Sequence, residues 1–271
     1  MAHASSSSGH RVVNTTVARL ALLAVNAVPV VGWFAEDWAA GTTLAVYWFE
    51  NVAACLFVAA RAIGHARLSP RRGHFDYQPP AGDRRSADSS FVKGFLVASL
   101  VFSAAHAIFL AVILLLLNHQ GERGIADVDW GSVGRGCAIV LAILIIEFVV
   151  DLLSLRNWTF LQLEQTANRG LGRVAVVHLT LIFGLLAVAI SGASDALFGV
   201  FVVLKTLYSL SWALPQWEPA TPPRWLNRMM ARLPKVRTGE RFSDAWVKDR
   251  AEEADRRVRN EQPWVGRRRA A

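Results

Sequence analysis

Cysteine is nearly absent, with only Cys55 and Cys137 in 271 residues. Both fall in or beside apolar runs without a Cys-x-x-Cys spacing, which excludes a disulfide framework and a zinc ribbon and leaves them as small packing residues. Charge is scarce as well. Charged residues make up 18% of the chain against 53% hydrophobic ones. With a mean hydropathy of +0.31, that is too apolar for a soluble domain of this length. No internal repeat is evident, which argues against an inverted-repeat transporter. There is also no His-Glu-x-x-His and no Gly-x-Ser-x-Gly elbow. What the chain does have is an excess of one sign, 29 Lys and Arg against 21 Asp and Glu. Nucleic-acid binding would need a basic face on a soluble fold. Here the basic residues alternate with long apolar runs, so the charge speaks for membrane topology and against a nucleic-acid partner.

A bilayer core is crossed by about 20 helical residues. Six stretches qualify, at about 17–36, 42–63, 93–117, 134–155, 173–191 and 195–215. The first, preceded by Arg11 and Arg19, could be a secretory signal, but its length and five further spans argue for a retained helix. Basic residues stay on the cytoplasmic side of short loops. Twenty-six of the 29 Lys and Arg fall on one face, including Arg61, Arg67, Arg71 and Arg72 at the second-to-third connection; the other face has only Arg123 and Arg135. The expectation is an all-α polytopic bundle of six transmembrane helices in the cell membrane, with both termini cytoplasmic.

Outside the spans, residues 1–16 read as a disordered arm, and 67–90, rich in Pro, Gly, Ser and Arg, as a flexible cytoplasmic loop in which His74 is solvated, as is His65 just before it. Residues 216–271 form a basic cytoplasmic tail. Within it, a helix near 223–234 sets Arg224, Arg228 and Arg232 on one stripe opposite Leu226, Met229, Met230 and Leu233. That pattern suits anionic lipid headgroups, or a short amphipathic helix against the bundle's own end. A second helix is expected around 243–260 in an otherwise loose tail.

The unusual residues are the polar ones inside the spans: Asn26, Glu50 and Asn51, His106, Glu147 with Asp151 one turn on, His178 and Lys205. A carboxylate at mid-span costs roughly 2.5–3.5 kcal/mol on the insertion scale, against roughly 0.3–0.6 kcal/mol gained per Leu, Ile, Val or Phe. Such residues in the second span include Val46, Phe49, Val52, Leu56, Phe57, Val58 and Ile63. Its insertion is near break-even, so Glu50 should face other helices and find a partner, Lys205 being the natural one.

Three readings follow. Glu50, His106, Glu147 and Lys205 could line a hydrated path for a proton, an ion or a polar solute. Alternatively Glu50 and Lys205 form a dry structural pair, with Asn51 and Asn26 bridging helices, in a scaffold protein. In the third, Glu147 and Asp151, at i and i+4, join His106 and His178 in an intramembrane metal enzyme. The spacing favours no metal site and calls for no cofactor. Ser103, one turn before His106, lacks the setting of a nucleophile.

The segments "VYWFENVAACLFVAARAI" (46–63), "AAHAIF" (104–109) and "GRVAVVHLTLIFGLLAVAISGASDALFGVFVVLKTLYSL" (172–210) resemble an uncharacterised family of prokaryotic integral membrane proteins, domain of unknown function family 6498. The resemblance runs through most of 17–215. It implies a multi-pass domain with shared polar positions at Tyr47, Glu50, Asn51, His106, His178 and Lys205, and implies no reaction. Family members carry an acid about a turn after the lysine, where this chain has Ser209. They carry histidine-containing text in the fourth span, where it has Glu147 and Asp151.

Overall fold

The computed structural model describes residues 34–80, 90–119, 127–191, 219–230 and 241–265, together with parts of 24–32 and 199–211. Among them the protein is all-helical: α1 (Ala40–Leu68), α2 (Arg72–Phe75), α3 (Phe91–His119), α4 (Trp130–Ser154), α5 (Phe160–Ser191), α6 (Arg224–Met230) and α7 (Phe242–Glu261). The arm 1–16, Asn26, Lys205, Arg232 and the side chain of His178 lie outside the described residues.

Three helices are long and apolar enough to cross a membrane, over Gly41–Leu68, Phe91–Val112 and Trp130–Asn157. At 1.5 Å per residue even the shortest spans about 33 Å, more than a hydrocarbon core. Their apolarity runs opposite to their burial: α1 is the least apolar and most enclosed, α4 the most apolar and most exposed. Val101 and Phe102 on α3, and Ile146 and Leu153 on α4, point outward. Apolar surfaces turned outward around a more polar interior suit surroundings in which the helices must satisfy their own backbones.

α1 is the central element and packs against α3, α4 and α5. On its α4 side, Trp38, Val46, Ala53 and Ala54 close over Val140 and Leu144. The approach depends on Gly136, where a Cβ would stand 2.7 Å from Trp38 and 2.9 Å from Val46. Further along, Cys55, Val58, Ala59 and Ala62 meet Phe91 and Phe95 of α3 and Phe160 and Leu163 of α5. Cys55 is thus a buried packing residue. α4 starts cleanly because Asp129 caps it, accepting from the Gly131 N–H at 2.9 Å and the Ser132 hydroxyl at 2.6 Å.

The elements differ from the sequence reading at the Arg61 end. α1 runs five residues past the expected boundary and α5 begins at Phe160, thirteen residues before the expected fifth span. Residues 70–80, expected in a flexible loop, are held in place; 81–89 lie outside the described residues. The expected tail helix is present as α7 and is docked rather than loose. The Arg72 N–H donates to Gln262 O at 2.7 Å, and the Trp264 N–H to Pro70 O at 3.1 Å. Phe75 and Trp264 meet as tilted rings with centroids 5.0 Å apart. Gly73 passes so close to Phe160 that a Cβ would lie 2.5 Å from the ring.

Candidate functional site

Among the described residues, three groups of buried or partly buried polar side chains stand out. The first is the mid-helix layer of α1 and α3. Tyr47, Glu50 and Asn51 on α1, and Ser103 and His106 on α3, are all buried, Glu50 to 1% exposure. Trp48 ties the two helices, its Nε1–H donating to Ser103 O at 2.9 Å. Asn51 uses its amide N–H on its own helix, donating to Tyr47 O at 3.1 Å. That leaves two buried acceptors, Asn51 Oδ1 and Ser103 Oγ, without a hydrogen-bond partner among the described residues. Glu50 is enclosed between helices at this level of α1.

The second group lies about 16 Å further along α1, eleven residues on at 1.5 Å each. Arg61, expected as a flanking loop charge, is buried. Its Nε donates to Asp151 Oδ2 at 2.8 Å, and its terminal Nη2 lies 3.9 Å from Glu147 Oε2. The guanidinium also covers the Phe148 ring at 5.5 Å. Glu147 and Asp151 therefore do share a face of α4, as their spacing required, but what stands between them and α1 is a cation. No group of three or more His, Cys, Asp or Glu among the described residues is arranged to hold a metal ion. Between this group and the first, α1 buries Ala53, Ala54, Cys55, Val58 and Ala59, an apolar stretch that separates them.

The third group is the seam between α1, residues 70–80, α5 and α7. His65 and His74, expected to be solvated, are both buried. They form a chain: the Arg71 N–H donates to His74 Nδ1 at 3.0 Å, His74 Nε2 meets His65 Nδ1 at 2.9 Å, and His65 Nε2 meets Trp158 O at 3.0 Å. The terminal carbonyl can only accept, so His65 carries its proton on Nε2 and His74 must donate from Nε2. Both rings are neutral in this arrangement. Burial, with His65 and Arg71 alongside, pushes His74 down to about 4.

Beside it, Glu164 accepts from the Tyr77 hydroxyl at 2.5 Å and takes Arg256 in a two-pronged pair at 2.7 and 3.0 Å. Arg256 spends its remaining N–H groups on Glu253 and on Gln78 O, so every donor of the buried guanidinium is met. Burial alone would lower Arg256, and the bonds to Glu253 and Glu164 outweigh it and raise it. Glu261 Oε2 accepts from the Phe160 N–H at 2.6 Å and so caps α5 from the tail helix.

The structure brings together Glu50 and Asn51 on one helix turn, and Glu147 with Asp151. It does not join these two pairs. Whether Glu50 meets Lys205 or Asn26, and how His178 is disposed, falls outside the described residues. Of the basic stripe, Arg224 and Arg228 lie on the short helix α6, where Trp225 and Met229 are exposed. Sequence reasoning missed Arg61, Glu164 and Arg256. For Arg61 a signal existed: it stands three and four positions from Val58 and His65, continuing the buried face of α1.

Searches of curated proteins and of solved structures return no match. A family profile does match, over residues 10–230, and covers the polar groups above except the tail's Arg256, Glu253 and Glu261. That is most of the chain, and the protein therefore belongs to DUF6498, a family of unknown function.

Proposed function

We propose that the protein is a multi-pass protein of the cell membrane, with six spans and both termini cytoplasmic, that moves protons or a small polar solute through its buried polar layer. The observation that carries this reading is the pair of buried acceptors Asn51 Oδ1 and Ser103 Oγ, which have no hydrogen-bond partner among the described residues, in the same layer as Glu50 and His106. A buried polar atom left without a partner costs about 1–3 kcal/mol. In a dry structural bundle that cost would stand at two positions; water or a solute hydroxyl removes it. The layer lies about 15 Å into α1, near the depth at which a spanning helix meets the middle of a bilayer. Glu50 and His106 there supply a carboxylate and an imidazole, the groups that relay protons within membranes.

The partners of this reading are the bilayer itself and, at the tail, anionic headgroups against Arg224, Arg228 and Arg232. The exposure of Trp225 and Met229 beside the first two of these supports it. No cofactor enters. The test is proton flux into vesicles that hold the purified protein and an internal pH dye, under an imposed pH gradient and membrane potential. Wild-type protein should acidify the lumen faster than empty vesicles, and Glu50→Gln should return the rate to that background. Flux that is equal in Glu50→Gln and wild type, or no flux with any gradient and no effect of added polar solutes, would sink the reading.

A further inference from the structure

Of the twenty residues of α7 only Arg256 and Asn260 are buried, and both are polar. The helix is therefore held to the bundle by directed bonds rather than by a shared apolar core. Arg256 forks onto the buried Glu164 at 2.7 and 3.0 Å. One turn on, the Asn260 side chain grips a peptide main chain from both sides: its amide donates to Gln78 O at 2.9 Å, and its Oδ1 accepts from the Gln78 N–H at 3.1 Å. Glu261 follows at once and caps α5 through the Phe160 N–H. Past the end of the helix an antiparallel bridge joins Arg71 and Pro263, and the Trp264 ring lies against Phe75.

We infer that this end of the bundle is a peptide-recognition site and that residues 253–264 are its resident ligand, a segment that leaves and rebinds as a unit. The receiving groups, Glu164, the Gln78 main chain, the Phe160 N–H and the Phe75 ring, all lie in the stretch that the family profile matches, whereas the whole ligand lies beyond residue 230. Four side chains of the ligand, Arg256, Asn260, Glu261 and Trp264, each meet a different kind of group: a carboxylate, a peptide unit, a helix N-terminus and a ring. Such a set reads spacing as well as composition, since Arg256 and Asn260 must share one helix face to reach their partners together. Interfaces this polar form and part, because separation returns the groups to water without opening an apolar core. The apolar cluster beneath, with Phe91, Phe95, Phe160 and Leu163, contains no α7 residue. Glu164 sets the preference of the site: a buried carboxylate calls for a cation, and its two oxygens match the planar fork of a guanidinium better than an ammonium. The occupant is the chain's own tail, whose tether holds it near the site at a concentration on the order of millimolar. Nothing in this depends on what the mid-helix layer carries.

The test uses the full-length protein with a protease recognition sequence inserted between Gly239 and Glu240, purified intact in detergent and then cut. The probe is a fluorescently labelled peptide of residues 240–268, with a scrambled peptide of the same composition to measure adsorption. Cut protein should take up the probe saturably as its own fragment exchanges out. Uncut protein should take up less by about tenfold or more, because the tethered tail out-competes the free peptide. Arg256→Met in the probe should weaken uptake by about thirtyfold or more. Arg256→Lys, which keeps the charge and loses the fork, should fall between the two. These variants lie in the peptide, so the folding of the bundle is not at stake in them. Gel filtration and circular dichroism of the cut protein follow the bundle itself, and its aggregation or unfolding on loss of the fragment would make α7 part of the core and overturn the inference. It is equally overturned if the fragment never exchanges, if the Arg256→Met or scrambled probe binds as well as wild type, or if cut and uncut protein take up the probe alike, which would mean that the tail is not the occupant.

Discussion

Arg61 and Asp151, ninety residues apart in the chain, meet at 2.8 Å with both side chains largely withdrawn from solvent. The pair joins the least apolar long helix to the most apolar one, near one end of both. In low dielectric such a pair barely offsets its own desolvation, yet removing one member leaves a buried charge with no answer. Arg61→Met should therefore destabilise the detergent-solubilised protein by about 3–5 kcal/mol. The double variant Arg61→Met, Asp151→Asn should recover most of that. Thermal unfolding of the three proteins measures both effects, and a double variant no better than the single one would mean that the two charges do not answer one another.

The tail is anchored by the same kind of contact. Arg256 of α7 pairs with Glu164 of α5, and Tyr77 adds its hydroxyl. Arg256→Met should strand the Glu164 carboxylate at a cost of about 3–5 kcal/mol, most of it local to the docked tail. Limited trypsin digestion should then cut α7 after Lys248 and Arg250 well before it cuts wild type. Tyr77→Phe, which removes one hydrogen bond to a charged group, should cost about 1.5–3 kcal/mol and give an intermediate rate. Equal digestion of Arg256→Met and wild type would mean that α7 is held by something other than this pair.

Acid should act on the seam first through His74. Its proton affinity is pushed down to about 4 in the folded protein, from 6.5 in the free side chain. Between those values the unfolded chain binds the proton and the folded one does not, so the folded state loses ground as pH falls. The contribution is fully present above pH 6.5 and declines toward pH 4, by roughly 3 kcal/mol over the whole window. Wild-type melting temperature should thus fall steadily from pH 6.5 downward, ahead of the range in which ordinary carboxylates titrate. His74→Gln keeps an acceptor for the Arg71 N–H without a titrating ring, and between pH 6.5 and 5 its curve should be flatter. Parallel curves would remove His74 from the account.

How much of this could be read in the chain varies with the kind of argument. The all-helical architecture follows from apolar run length, and the expectation that Glu50 faces other helices from insertion energy, both of which depend only on local composition. The Arg61 cluster did not. The apolar text thins after Ile63, which made Arg61 look like a loop charge, whereas the helix continues to Leu68 and turns that arginine toward α4. Glu147 and Asp151 were correctly put on one face by their spacing, but spacing alone cannot distinguish a metal from a guanidinium as what stands opposite. Glu164 lies in polar text between two apolar runs, and its partner is 92 residues away. His65 and His74 are separated by a Ser-Pro-Arg-Arg-Gly stretch that has every local mark of a loop. What buries them is α5 and the docked tail, contacts between distant segments that no local pattern encodes.

Whether the mid-helix layer is wet is decided at Ser103. Its Oγ is buried without a partner among the described residues, while Val101 on the same helix is 62% exposed on an apolar outer face. A methanethiosulfonate reagent reacts with thiolate, which forms in water and not in hydrocarbon. On a background of Cys55→Ala and Cys137→Ala, which removes both native thiols, Ser103→Cys should be modified by a charged reagent in vesicles. Val101→Cys, turned toward the surroundings of the bundle, should react at least ten times more slowly. The contrast is informative because simple exposure predicts the reverse order: Val101 is open and Ser103 is closed. Faster reaction at the closed position means that water reaches it from within the protein, along the face that carries Asn51 and Glu50. Faster reaction at Val101 would mean that the outer face is wetted and the inner layer dry, and the unmet acceptors of Asn51 and Ser103 would then be a structural cost with no passage attached.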